Sequence, residues 1–81
     1  MPGDKELVEA EILCRRLLED GRFFDRHGVL NSDGRKLLNR IVRIVVKKIP
    51  YAKSRAYVAR REPTLENVAR LLEVIRTGDS R

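Results

Sequence analysis

The 28 residues GRKLLNRIVRIVVKKIPYAKSRAYVARR, Gly34 to Arg61, decide the fold. Arg35, Lys36, Arg40, Arg43, Lys47, Lys48, Lys53, Arg55, Arg60 and Arg61 supply ten positive charges, and the stretch holds no Asp or Glu. If residues 34–49 coil at 100° per residue, Lys36, Arg40, Arg43 and Lys47 fall within about 60° of one another. Leu37, Leu38, Ile41, Val42, Ile44, Val45, Val46 and Ile49 then cover roughly 200° of the remaining arc. So wide an apolar face suits a central helix enclosed by several neighbours, with a narrow basic strip left to solvent.

The β-branched residues Ile41, Val42, Ile44, Val45 and Val46 would also suit a strand. Alternation fails, however. Val42 and Ile44 share parity with Arg40 and Lys48, while Ile41 and Val45 share it with Arg43 and Lys47. A period near 3.6 separates charge from carbon better, so the stretch reads as helix. Pro50 disfavours the α conformation in the residue before it and ends that helix. Residues 53–61 read as a short helix with Lys53, Tyr57, Arg60 and Arg61 on one face. Its Ala52, Ala56 and Ala59 are small enough for close approach to the core or to a ligand backbone.

Working outward, residues 4–20 read as the first helix. Asp4 is placed to cap it, and Gly21 to follow its end. Leu7, Ala10, Cys14 and Leu17 form its inner stripe, while Val8 and Ile12 fall on the outer face beside Arg15 and Glu19. These two are either ordinary exposed aliphatics or a second patch for protein contact. Residues 22–34 connect. At least one of Phe23 and Phe24 should plug the core, Gly28 and Asn31-Ser32-Asp33-Gly34 signal turns, and Ser32 or Asp33 should cap the central helix. Pro63 and Thr64 open the last helix, with Leu65, Val68, Leu72 and Ile75 as its buried stripe and Ala69 and Leu71 beside it. Gly78 should stop it, and residues 79–81 should fray.

The fold expected is therefore all-α: one small domain over residues 1–81, a compact bundle of three main helices plus one short one, built around the helix at about 34–49. Such a chain buries only about 60% of the surface that its unfolded form exposes. A homodimer or larger assembly is thus a fair expectation. Arg outnumbers Lys 13 to 5, there is no Gln, and 37% of residues are charged. That balance hints at a thermophile. The single Cys14 excludes an internal disulfide and fits a reducing compartment. No apolar run approaches a membrane span, because Arg43 interrupts the longest, and Asp4, Lys5 and Glu6 are unlike a signal peptide. The expected setting is soluble, intracellular and cytoplasmic.

Charge is uneven along the chain. Of the net +6, residues 34–61 contribute +10, residues 1–33 contribute −3 and residues 62–81 contribute −1. Catalysis is not expected. His27 is the lone histidine, in a loop, and one Cys with one distant His does not make a metal site. Gly34-Arg35-Lys36 lacks the preceding glycine and the Ser/Thr of a phosphate-binding loop. Cys14, on an inner face, reads as a buried, inert thiol. No cofactor, metal or small-molecule substrate is expected.

A stretch this long without acids points instead to a polyanion. Solvated faces normally mix signs. The favoured partner is nucleic acid, DNA or RNA, held with little sequence specificity through phosphate contacts from Lys36, Arg40, Arg43, Lys47, Lys53, Arg55, Arg60 and Arg61. Tyr57 would stack on an unpaired base or bond to a phosphate. The helix, Pro-containing link and second helix at 34–61 could form a helix-turn-helix, with 53–61 as its reading helix. The competing reading is a protein–protein module or accessory subunit. Its basic stripe would meet an acidic partner, with Val8, Ile12 and Val74 as apolar anchors. Membrane-surface binding comes third, because the apolar face is needed for the core and no Trp or Phe lies in the segment.

Overall fold

Asp4 accepts hydrogen bonds from the backbone N–H groups of Glu6 (3.0 Å) and Leu7 (3.2 Å). Two donors that a helix start leaves unpaired are thereby satisfied. The helix that follows, α1, spans Lys5–Glu19. In the computed structural model, which describes residues 4–77, it is followed by α2 (Ser32–Lys48), α3 (Lys53–Arg61) and α4 (Leu65–Thr77). Short 3-10 turns at Gly21–Phe23 and Pro50–Ala52 fill two of the connections. No strand forms among the described residues, so the β alternative for residues 41–46 is excluded. Gly78, expected to stop α4, and residues 79–81 lie outside the described residues.

One sequence expectation about helix ends is corrected, and another holds in position but not in conformation. Asn31, not Ser32 or Asp33, caps α2: its Oδ1 accepts from the Gly34 N–H at 2.9 Å. Its Nδ2 donates to the Arg22 carbonyl at 2.7 Å, a second anchor that fixes the choice among three cap-competent neighbours. Ser32 and Asp33 become the first turn, where a carboxylate also suits the helix dipole. Gly21 does not take a left-handed end. Among the described glycines Gly28 alone has positive φ, at 76°. Asp20 closes α1 instead, and its carboxylate accepts from the Arg22 N–H.

The connection from Phe24 to Asn31 is held by main-chain bonds. Phe24 bridges Leu30, and Val29 bridges Thr64, both antiparallel. Leu30 N–H donates to the Pro63 carbonyl and Leu65 N–H to the Gly28 carbonyl, each at 2.9 Å. The loop is thereby clamped to the α3–α4 junction. Gly34 sits where α2 meets this loop. A Cβ there would lie 2.8 Å from Leu30 Cδ2 and 3.1 Å from the Phe23 carbonyl oxygen, so the close approach needs glycine.

α1 and α3 each pack against both α2 and α4, so α2 is flanked by α1 along one edge and α3 along the other. Between them lie Ala10, Cys14, Leu17, Leu38, Ile41, Val45, Val68 and Leu71, all within 1% of full burial, with Phe23, Phe24, Leu37 and Val46 partly buried around them. Ala52, Ala56 and Ala59 are fully buried, which lets the short α3 lie close. The face of α4 differs from expectation. Val68, Leu71, Val74 and Ile75 are buried, whereas Leu65 is half exposed, Ala69 is exposed and Leu72 is only partly covered. α4 lies between α1 and α3, so its buried arc centres between those neighbours and not along the Leu65–Leu72 line. Val74 is consequently core and unavailable as an apolar anchor for a partner.

Candidate nucleic-acid interface

The strip Lys36, Arg40, Arg43 and Lys47 is exposed on α2, opposite its buried face. It does not stand alone. The α1 carboxylates reach across to it: Arg40 Nε meets Glu9 Oε2 at 2.5 Å and Lys47 Nζ meets Glu6 Oε1 at 3.5 Å. Beside the strip, Lys48 Nζ lies 3.2 Å from Glu6 and 3.3 Å from Asp4. The order of these pairs runs α1 antiparallel to α2. The cause is angular. At 100° per residue, Arg40 and Lys47 lie on the side of the strip turned towards Lys48 and α1, about 20–40° round from Lys36. Arg43 lies on the far side, and neither it nor Lys36 forms an ion pair among the described residues.

These pairs shift protonation in the direction their geometry demands. Glu6 is held below the usual carboxylate range by its hydrogen bond to Lys48, helped by the charge of Lys47. For Asp4 partial burial opposes ionisation, but the Leu7 N–H and Lys48 outweigh it and the pKa is lowered. Lys48 is raised in return by Glu6 and then Asp4. All remain charged at neutral pH. Exposed pairs of this kind exchange readily with competing ions.

α3 presents a different surface. Taking Lys53 as origin, Tyr57, Arg60 and Arg61 fall within about 80° of it, while Arg55 falls about 200° away. Lys53, Tyr57, Arg60 and Arg61 are exposed, as their shared face predicts, and Arg55 is half-buried on the opposite flank. Lys53, Arg60 and Arg61 form no ion pair among the described residues. Lys53 Nζ lies 5.9 Å from the centre of the Tyr57 ring, a cation–π contact that leaves the ring 44% exposed. The expected site is thus split: among the described residues Lys53, Arg60 and Arg61 on α3 and Lys36 and Arg43 on α2 have no carboxylate partner, Arg40 and Lys47 on α2 are bound to α1, and Arg55 stands apart on the other flank of α3.

Sequence reading missed the α1 carboxylates and Arg70, which lines the same α3–α4 groove as Arg55. The one available signal was the opposition between a net-negative first segment and an acid-free second one, which favours docking of the first on the second. Elsewhere the chemistry is quiet. Burial pushes the Cys14 thiol up to about 12, so it stays protonated, and its Sγ–H points at the Val68 carbonyl, 3.5 Å away. No group of three His, Cys, Asp or Glu among the described residues is placed to hold a metal ion. No helix among them is long and apolar enough to cross a membrane. An open hollow of about 570 Å³ beside the end of α1 is lined by Arg15, Arg16, Glu19 and Asp20, charges of both signs with no excess.

The chain matches no protein-family model, no curated protein and no solved structure.

Proposed function

We propose that this protein binds nucleic acid through the phosphate backbone, with little sequence specificity, using the α3 ridge as its main contact and Lys36 and Arg43 as flanking contacts. The supporting observation is that Lys53, Arg60 and Arg61, with an exposed Tyr57 among them, carry no carboxylate partner among the described residues. Cations that the fold leaves uncompensated are those that gain most from phosphates, because binding there releases counterions without first breaking a native pair. Tyr57 offers a face on which an unpaired base can stack. Arg40 and Lys47, tied to Glu9 and Glu6, contribute less than their position in the strip suggests.

The test is a titration against duplex DNA, single-stranded DNA and structured RNA at two salt concentrations. Binding that weakens steeply with salt, with similar affinity for unrelated sequences, is the expected result. No binding to any of the three at low salt would remove the proposal. One observation favours a second reading as an accessory subunit: Val8 and Ile12 are 51% and 52% exposed, one turn apart on α1. In that reading they touch a partner protein while the basic face meets acidic residues or nucleic acid. Size-exclusion chromatography over a wide concentration range tests whether that partner is a second copy.

A further inference from the structure

The outer side of α1 carries a pattern that mirrors itself. The exposed residues of this helix are Lys5, Val8, Ile12, Arg15, Arg16 and Glu19. At 100° per residue they fall within about 100° of arc, with Ile12 near the middle. Lys5 and Glu19 stand seven residues either side of Ile12 and carry opposite charges. Val8 and Arg16 stand four residues either side. A two-fold axis at Ile12 therefore brings two copies of α1 together antiparallel, Ile12 on Ile12. Each Lys5 is then level with Glu19 of the other copy, and each Val8 with the alkyl stem of Arg16. A parallel pair would set Lys5 on Lys5 and Glu19 on Glu19. An axis midway between Val8 and Ile12 would set Lys5 on Arg15. In the matching register, Lys5 and Val8 of the other copy lie over Glu19 and Arg16, which with Ile12 line the open hollow of about 570 Å³ beside the end of α1. The second helix thus enters a concavity that the single copy already has.

From this symmetry we infer that the outer face of α1 is a homodimer interface, in which two copies of the chain meet antiparallel about a two-fold axis at Ile12. The inference rests on the second reading above, in which Val8 and Ile12 touch a protein, and names that protein as a second copy. A two-fold contact uses one patch on both sides, so the Lys5–Glu19 pair forms twice. One pair of 15-residue helices buries less than the roughly 1,200 Å² at which stable complexes begin. The dimer is therefore weak, with a Kd between about 10 μM and 1 mM. α2 and α4 lie between α1 and α3, so pairing leaves the α3 ridge of each copy exposed.

The experiment is sedimentation equilibrium of the full chain, without nucleic acid, over a concentration range that brackets those values. Wild type is compared with Lys5→Glu, Glu19→Lys, the double variant Lys5→Glu/Glu19→Lys, Ile12→Glu, and Leu65→Glu as an exposed apolar control on α4. The charge changes place an acid in the first turn of α1 and a base in its last, which suits the helix dipole and keeps the fold. Each single reversal should weaken the dimer about tenfold, because both pairs become repulsions. The double variant should return to within about threefold of wild type, and an equimolar mixture of the two single variants should associate more tightly than either alone. Ile12→Glu should weaken the dimer at least about a hundredfold, since it sets two like charges on the axis, and Leu65→Glu should leave it unchanged. A wild type that stays monomeric over the whole range overturns the dimer and leaves the second reading with a different partner. A dimer that survives Ile12→Glu overturns the use of this face, and the second reading with it. Single reversals without rescue in the double variant overturn the two-fold at Ile12.

Discussion

The two edges of α2 carry opposite solutions to the same charge. Along one edge, α1 sets Asp4, Glu6 and Glu9 against Lys48, Lys47 and Arg40. Along the other, α3 adds more cations and no acid. Both edges are strongly polar and both are exposed, yet among the described residues only the α1 edge shows its cations matched by carboxylates from the neighbouring helix. A basic strip read along a single helix says how much charge is present. Whether that charge is available depends on what the neighbouring helix brings to it.

The sharpest break of this contrast is charge reversal on the incomplete edge. Replacing Lys53, Arg60 and Arg61 together by Glu should lower affinity for any duplex at least about a hundredfold at low salt, since three phosphate contacts are lost and three repulsions added. Circular dichroism should show an unchanged helix content, because none of the three is buried or paired with a described residue. The same treatment of Arg40 and Lys47 should behave differently. Glutamates there would face Glu9 and Glu6, so the thermal midpoint should fall before the binding defect is fully expressed.

A milder pair of variants separates available from committed charge within the strip itself. Lys36→Ala/Arg43→Ala should reduce the salt slope for duplex DNA by about two, and Arg40→Ala/Lys47→Ala by less than about one. Equal slopes would mean that the α1 pairs open freely and the distinction between the edges has no functional weight. In the reverse direction, Glu6→Gln/Glu9→Gln should strengthen binding a few-fold, by freeing Arg40 and Lys47, at the cost of a slightly lower thermal midpoint.

The smallest effect concerns acid. Glu6 and Asp4 have pKa values lowered in the folded protein from ordinary values of 4.5 and 3.8. A lowered folded pKa means that the unfolded chain takes up protons first. The stability these groups contribute is therefore complete above about pH 4.5 and drains away as pH falls through their folded values. Thermal melts from pH 7 down to about 2.5 should show the midpoint dropping below pH 4.5, and Glu6→Gln should flatten part of that drop. Asp20 and Asp25 are lowered as well, by Arg22 and by the Val29 and His27 N–H groups, so the variant removes only a fraction.

Much of this fold was legible because local rules agree with one another. The 53–61 helix is found with the predicted bounds, since Pro50 and the alanine spacing both mark it, and α2 is helical because a 3.6 period was the only one to sort its charges. Legibility stopped where a choice depended on distant residues. Asn31, Ser32 and Asp33 are equally able caps, and Arg22, nine positions back, decides between them. The α4 stripe was misplaced because its apolar residues span more than one face and only the neighbours select the buried arc. For the candidate site the limit was sharper. Glu9 and Arg40 are 31 positions apart, and no spacing rule connects them.

The clamp between the 24–31 loop and the α3–α4 junction has a further consequence. Its bonds join peptide groups, so they depend little on which side chains occupy Arg26 or His27. The amides of Leu30 and Leu65 should therefore exchange with deuterated solvent far more slowly than irregular chain usually does. They would report, residue by residue, whether the joint at the end of α3 stays closed when an anion arrives.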